Sequence, residues 1–453
     1  AKIRDDLKFS DGKPMTADDI IFTYYVYLDT AYVGSTTLNS FPIIGLQNYR
    51  LNSTKAESVD VTAEETAKML AEPNDEMKKA ITEKIATILE EEKGWCTENF
   101  ADKGAATQEE FFVTSYGTAV GYAYDAAKNY DTIVAEVIAA YGTDYKKLAE
   151  NYAGDAAYFD GDLSPIATAI VKKIKVDAAG GDPVANIEGI KKTGDYSVEV
   201  TLKGFSAPAV YSILGIQVTP LHFYGDASAY NYDKNQFGFT RGDLSKVQEK
   251  VATPLGAGPY VFKEYKNKTI YFEANPTYYA GEPKIKDLQF KEVTTTEMAS
   301  NVETGVADCG EFTGTVDNFK ALQAMNSNKE ITGDVVSTSK VDNLGYGYIG
   351  INADTVNVAG DPKSDASKAL RKAIMTILSV YRDTRIDSYY GEAASVINYP
   401  ISNTSWAAPQ VTDEGYKIAY STDAEGKAIY TSEMSADDKY AAAITATIGY
   451  LKV

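Results

Sequence analysis

One histidine and two cysteines are all the imidazole and thiol that 453 residues supply. Catalysis by a histidine base, and zinc held by several histidines, both need groups this chain barely has. His222, in VTPLHFYG, therefore reads as a loop or packing residue rather than a base. Cys96 and Cys309 lie far apart with no CxxC. One disulfide and two unpaired buried thiols both fit that spacing, whereas a disulfide scaffold does not. Missing too are the P-loop pattern, the GxSxG elbow and HExxH. No apolar run reaches the ~18 residues of a membrane span. Basic residues are outnumbered, 44 against 64 acidic, for a net charge of -20. Such a chain repels phosphate backbones and anionic bilayers, which argues against nucleic acid and membrane surfaces as partners. The catalytic inventory is empty: neither enzyme chemistry, nor a metal site, nor a cofactor is expected.

What is present belongs to an ordinary globular protein, 44% apolar and 24% charged, long enough for two or three domains. Near the start, strand-like residues run into Asp11-Gly12-Lys13-Pro14, which is turn chemistry. Thr16 then caps a helix, with Asp19 three residues on and an apolar stripe of Ile20, Ile21, Tyr24, Tyr27 and Leu28. Residues 46–180 have another texture, rich in Ala, Glu and Lys at helical spacing with a break at Pro73. Ile81, Ile85, Ile88 and Leu89 read as a packing stripe, and Tyr116, Tyr122, Tyr124 and Tyr130 as a packed face rather than a stacking surface. Strand signals return from 187, with a hairpin around a GD turn and a strand pair across Lys266-Asn267-Lys268. A helix ending at Gly305 leads into a short strand; GYGYIGIN at 345–352 reads as another strand. Residues 366–390 form a long helix with Leu370, Ile374, Ile377 and Leu378 on one face, and SADDKYAAAITATIGYLKV is a capped helix. Strands and helices mix without a strict βαβ period, which favours a multi-domain α/β protein.

Four stretches in order resemble the family 5 solute-binding proteins of ABC importers, the dipeptide, oligopeptide and nickel binders. IRDDLKFSDGKPMTADDIIFTYYVYL fits the family opening, keeping Arg4, Lys8, Phe9, Asp11, Gly12, Pro14, Thr16, Ala17, Asp19 and Phe22, with Ile3 for the usual Leu. PLGAGPYVFKEY carries Ala257 where Thr is usual, and NPTYYAGEPKIKDLQFK carries Tyr279 where Trp is usual. GYIGIN followed by SKALRKAIMTIL completes the series. Only 46–180 finds no counterpart. The resemblance implies an α/β fold of the type II periplasmic-binding-protein class, two-lobed and here partial, with a helical insertion, closing on its ligand by hinge motion. It implies an outer subdomain of the large lobe over 1–252 including the insertion 46–180, a large-lobe sheet segment over 253–342, and a partial second lobe over 343–453. The chain is expected to be an internal fragment lacking both family ends, and so to fold but bind weakly.

The resemblance also implies a monomer that captures a short peptide outside the cytoplasmic membrane, periplasmic or lipid-anchored, and delivers it to ABC permease subunits. Such proteins hold the peptide backbone much as a sheet holds a strand, so affinity depends little on sequence. Tyr346 and Tyr348 on the lobe-crossing strand, Thr313 and Thr315 in the loop Phe312-Thr313-Gly314-Thr315, and Trp406 in ISNTSWAAP are the candidate ligand contacts. Packing for the tyrosines and a plain turn for the loop are the competing readings. Arg371, Arg382 and Arg385 read as solvated helix charges. A nickel chelate, an oligosaccharide or another small molecule remains an alternative cargo. A surface receptor or adhesin that docks proteins through 46–180 is a third alternative, and an exposed apolar patch there would favour it.

Overall fold

The computed structural model describes residues 1–341, 343–431 and 433–453. The chain packs as two units, Ala1–Lys291 and Glu292–Val453. In the first, helix α1 (Ala17–Tyr27) begins with a capping box: the Thr16 hydroxyl accepts from the helix backbone and Asp19 accepts from the Thr16 amide at 2.8 Å. Asp19 also accepts from the Leu221 amide at 3.0 Å, so one buried carboxylate fixes both the helix start and a distant segment. Tyr25 is fully buried, stacks on Phe237 with ring centroids 3.4 Å apart, and its hydroxyl accepts from the Ile187 amide. Before α1 the chain forms bridges, Lys2 to Ser197 and Lys8 to Pro14, rather than the expected strand.

Short helix α2 (Leu46–Arg50) leads into a helical segment: α3 (Ala63–Ala71), α4 (Asp75–Asn99), α5 (Gln108–Phe112), α6 (Tyr130–Tyr141), α7 (Tyr145–Ala153) and α8 (Asp160–Ala179). The break at Pro73 falls between α3 and α4 as expected. These helices enclose their own core, in which Met77, Ile81, Ile85, Leu89, Phe112, Ile133 and Val137 are all buried. Tyr116 and Tyr130 join it, whereas Tyr124 stays exposed, so the tyrosines form a packed face only in part. At its margin Glu65 closes a capping box on Thr62 and pairs with Lys175 of α8 at 2.7 Å.

The Lys175 hydrogen bond, with help from the Thr62 amide, holds the Glu65 carboxyl below its ordinary 4.5. A depressed carboxyl adds stability above its unfolded value and loses it as pH falls through the folded one. Melting curves of the parent and Glu65→Gln should therefore differ at neutral pH and converge as acid protonates the carboxyl. A gap that persisted in acid would trace the effect to packing instead.

Hairpin β1 (Ile190–Gly194) and β2 (Ser197–Val200) is antiparallel, with Ile190 opposite Val200. After α9 (Ala209–Leu214) and α10 (Leu221–Tyr224) comes a small ladder of β3 (Tyr230–Asn231) and β4 (Gln236–Phe237), then α11 (Ser245–Gln248). A three-stranded antiparallel sheet of β5 (Tyr260–Lys266), β6 (Thr269–Ala274) and β7 (Asp287–Lys291) ends the unit. Its first turn places Asn267 and Lys268 at φ of 52° and 58°, the left-handed pair that a two-residue hairpin needs.

The second unit holds α12 (Thr295–Glu303), α13 (Val316–Met325), α14 (Asp365–Tyr389) and α15 (Ala436–Tyr450). Helices α14 and α15 share a core in which Tyr450 of α15 packs with the small residues Ala369 and Ala373 of α14. Ile374, on the expected apolar stripe, is 36% exposed because the close approach uses the alanine face instead. Neither the short strand after Gly305 nor the strand at 345–352 forms. Residues 306–308 bend instead, with the Ala307 amide turned back onto the Asn301 carbonyl, and neither stretch pairs with a strand among the described residues, so no ladder holds it.

Candidate ligand-binding site

The stretch beyond Leu344 is what remains of the expected strand. Among the described residues, the backbone of 346–351 makes no hydrogen bond. Buried backbone groups are almost always paired, so an open row of this kind is tolerable only because it faces solvent. Its side chains are exposed as well: Tyr348 at 84%, Leu344, Ile349 and Tyr346. The two tyrosine rings sit 6.4 Å apart, too tilted to stack flat. Neither is packed into a core, so the packing alternative for them is not what the structure has.

The other candidates belong to the same unit, and a short relay of contacts joins them. The Ser402 hydroxyl reaches the Asn343 carbonyl at 3.5 Å, tying the loop of Trp406 to the start of the open segment. Asn403 donates to the Ser395 hydroxyl at 2.7 Å. A Cβ on Gly314 would lie 3.2 Å from that of Ala393, so the 313–315 loop rests against the residues just before Ser395. Trp406 itself is 98% exposed, an unusual cost for so large an apolar surface.

Within the 313–315 loop the roles divide. Thr315 is buried and caps α13, its hydroxyl accepting from the Asn318 amide at 3.2 Å, which is a structural task. The Thr313 carbonyl accepts from the Asn318 side chain at 2.8 Å and from the Thr315 amide, and its hydroxyl has no hydrogen bond among the described residues.

Arg371 and Arg382 are not free solvated charges. Arg371 donates to the carbonyls of Val356 (2.9 Å) and Pro362 (2.7 Å), and Arg382 to the carbonyl of Ile397 and the Asn398 side chain, so each ties a loop to α14. Arg385 lies outside the described side chains. The thiols are unpaired: Cys96 is buried and pushed up to about 12 by desolvation, whereas Cys309 is exposed, not buried.

His222 sits on α10 rather than in a loop, with Nε2 2.7 Å from Asp11 and its ring edge-on to Phe9. Burial raises the Asp11 carboxyl, but the Lys13 amide and His222 outweigh it and hold the group below its usual range. This pair fastens the Asp-Gly turn to α10, and sequence spacing carried no sign of it. Two open clefts are lined by other residues. One of about 400 Å³ is walled by Asp18, Lys192, Tyr230 and Tyr232. The other, of about 500 Å³, lies between Asp423 and α15. Asp18 is already satisfied by Lys192 and by Tyr230, whose hydroxyl burial and that carboxylate together push upward.

An open backbone row and exposed aromatic rings thus fall in one unit of the chain. The chain belongs to the bacterial extracellular solute-binding proteins, family 5, whose middle-region model matches residues 1–132 and 122–450. Its fold class is accordingly the α/β, type II periplasmic-binding-protein fold of that family. The two matched ranges meet at 122–132, inside the helical segment that motif reading left without a counterpart.

Among curated proteins, the oligopeptide-binding protein AppA of Bacillus subtilis (strain 168) is 25% identical over 236 residues, 51% of this chain and 38% of AppA. The probable di/tripeptide-binding protein 5 of Pseudomonas aeruginosa (strain UCBPP-PA14) is 30% identical over 105 residues, 23% of this chain and 18% of the relative. The chain thus spans well under half the length of the curated relatives it matches. Among solved structures, Bacillus subtilis AppA in complex with a nonapeptide aligns at 22% identity over 50% of this chain and 39% of that one, with a TM-score of 0.35. A putative peptide-binding AppA from Clostridium difficile aligns at 16% identity over 87% of this chain and 46% of that one, with a TM-score of 0.37.

Proposed function

We propose that this chain is part of the substrate-binding component of an ABC importer, capturing short peptides outside the cytoplasmic membrane for delivery to permease subunits. Family membership and relatives described as oligopeptide- and di/tripeptide-binding support the cargo class. The observation that carries the reading is the unpaired backbone of 346–351 with its exposed Tyr346 and Tyr348, in the same unit as the exposed Trp406. Main-chain donors and acceptors in a row bind another main chain whatever its side chains, which is what a peptide importer requires. Trp406 and the tyrosines then supply apolar faces of low conformational cost for the cargo's side chains. Thr313 serves as a polar contact at the margin, and Thr315 holds that loop in place by capping α13. The protein acts as a monomer, without a cofactor, as a carrier rather than a catalyst. Its large lobe comprises an outer subdomain over 1–252, with 46–180 as an insertion, and a sheet segment over 253–342, and 343–453 belongs to the second lobe.

Equilibrium dialysis of the 453-residue chain against a pool of short peptides, small molecules and metal chelates at millimolar concentration, with mass spectrometry of what is retained, tests the reading directly. A ladder of short peptides of mixed sequence is expected. One defined small molecule or metal chelate recovered in its place would end the peptide reading.

A further inference from the structure

The peptide-binding reading leaves the helical segment 46–180 without a task, yet half of the chain's excess negative charge lies there: 24 acidic against 14 basic residues. On its surface Trp95 is 41% exposed and stacks obliquely on Phe111, ring centroids 5.5 Å apart. Trp95 lies on α4 and Phe111 on the short α5, whose Thr107 cap also meets the hydroxyl of the exposed Tyr124. Along α4, Glu91 precedes Trp95 by four residues and Glu98 follows by three, so both carboxylates share its face. Glu110 adjoins Phe111 on α5, and all three glutamates are exposed. None of them forms an ion pair among the described residues, while the neighbouring Lys93 is engaged by Glu90 and Asp131.

We propose that this face is a docking surface for a lysine- or arginine-rich segment of a partner protein. An aromatic patch alone would accept any apolar partner. Covering this one with an apolar surface would strip water from the Glu91 and Glu98 carboxylates and give them no counter-charge, which is costly. A cationic side chain resolves both demands. It lies on the indole face, the most favourable of the aromatic rings for a cation, while its neighbours on the partner pair with Glu91, Glu98 and Glu110. Arginine fits best, because its planar group stacks on the ring and forks onto a carboxylate at once. Chemically, this surface is independent of the open backbone at 346–351, which recognises amides rather than charge.

A labelled hexa-arginine peptide is the probe, with its fluorescence anisotropy followed against the 453-residue chain. Saturable binding should weaken about tenfold between low and physiological salt. Trp95→Ala and the double variant Glu91→Gln/Glu98→Gln should each weaken it by at least about fivefold. Neutralising two equally exposed carboxylates elsewhere on the segment, Glu64→Gln/Glu72→Gln, should leave it within about twofold. Circular dichroism of each variant verifies the fold, and the glutamine pair keeps the test valid should Trp95→Ala unfold. Equal losses from both glutamine pairs would overturn the proposal, since binding would then follow net charge alone. So would undiminished binding by folded Trp95→Ala, or no binding at low salt.

Discussion

N-methylating the amides of a bound peptide should weaken its capture more than a hundredfold, while truncating any one of its side chains to alanine should cost about tenfold at most. The expectation follows from the row of unpaired groups at 346–351. Each main-chain hydrogen bond contributes about 1 kcal/mol net, and three lost together amount to about 3 kcal/mol. Methylation removes the donor and adds bulk at the line of contact, but leaves side chains and terminal charges as they were. Titration calorimetry of a parent pentapeptide against its methylated twin makes the comparison. Equal affinities would mean that the peptide is held by its termini or side chains, and the open backbone would lose its role. Trp406→Ala should reduce affinity without touching this difference, because the ring contributes contact rather than main-chain pairing.

Phe112→Ala should destabilise the helical segment by about 3–5 kcal/mol, the cost of emptying a large aromatic site in a packed core. Phe112 is fully buried at the end of α5, edge-on to Tyr130 at 5.7 Å and tilted against Tyr116 at 5.5 Å. Its removal leaves a gap bounded by rings that are tethered elsewhere. The Tyr130 hydroxyl donates to the Lys93 carbonyl, and the Tyr116 hydroxyl to Glu92, so neither can swing inward freely. Ile174→Ala on α8, at a side chain 47% exposed, should cost far less. Because the chain has two compact units, unfolding is best followed by hydrogen exchange within 46–180 rather than by one melting temperature. A loss below about 1 kcal/mol for Phe112→Ala would show that neighbouring helices close the gap.

The helices were largely legible in the sequence, and the reasons are local. The Thr16 cap, the Pro73 break and the stripe Ile81, Ile85, Ile88, Leu89 each act over a turn or two of chain, and each appears where the pattern placed it. The hairpin turn at Asn267-Lys268 was legible for the same reason. GYGYIGIN was not, because alternation shows only that a segment suits a sheet. Whether it joins one depends on a partner strand, which no local pattern supplies. The roles of Arg371 and Arg382 escaped notice because their acceptors are mostly backbone carbonyls, and every residue has one. His222 and Asp11 lie 211 positions apart, so their pairing could not be read from spacing. Of the candidate contacts, exposed aromatics were identifiable by type, whereas the capping task of Thr315 needed the turn geometry.

The open row at 346–351 also has a statistical side. A surface that grips amides without regard to side chains gives a longer chain several equivalent ways to sit, each shifted by two residues so that the same faces meet. Four such placements multiply the association constant fourfold, about 0.8 kcal/mol, with no additional contact. Preference for length would then arise from counting alone.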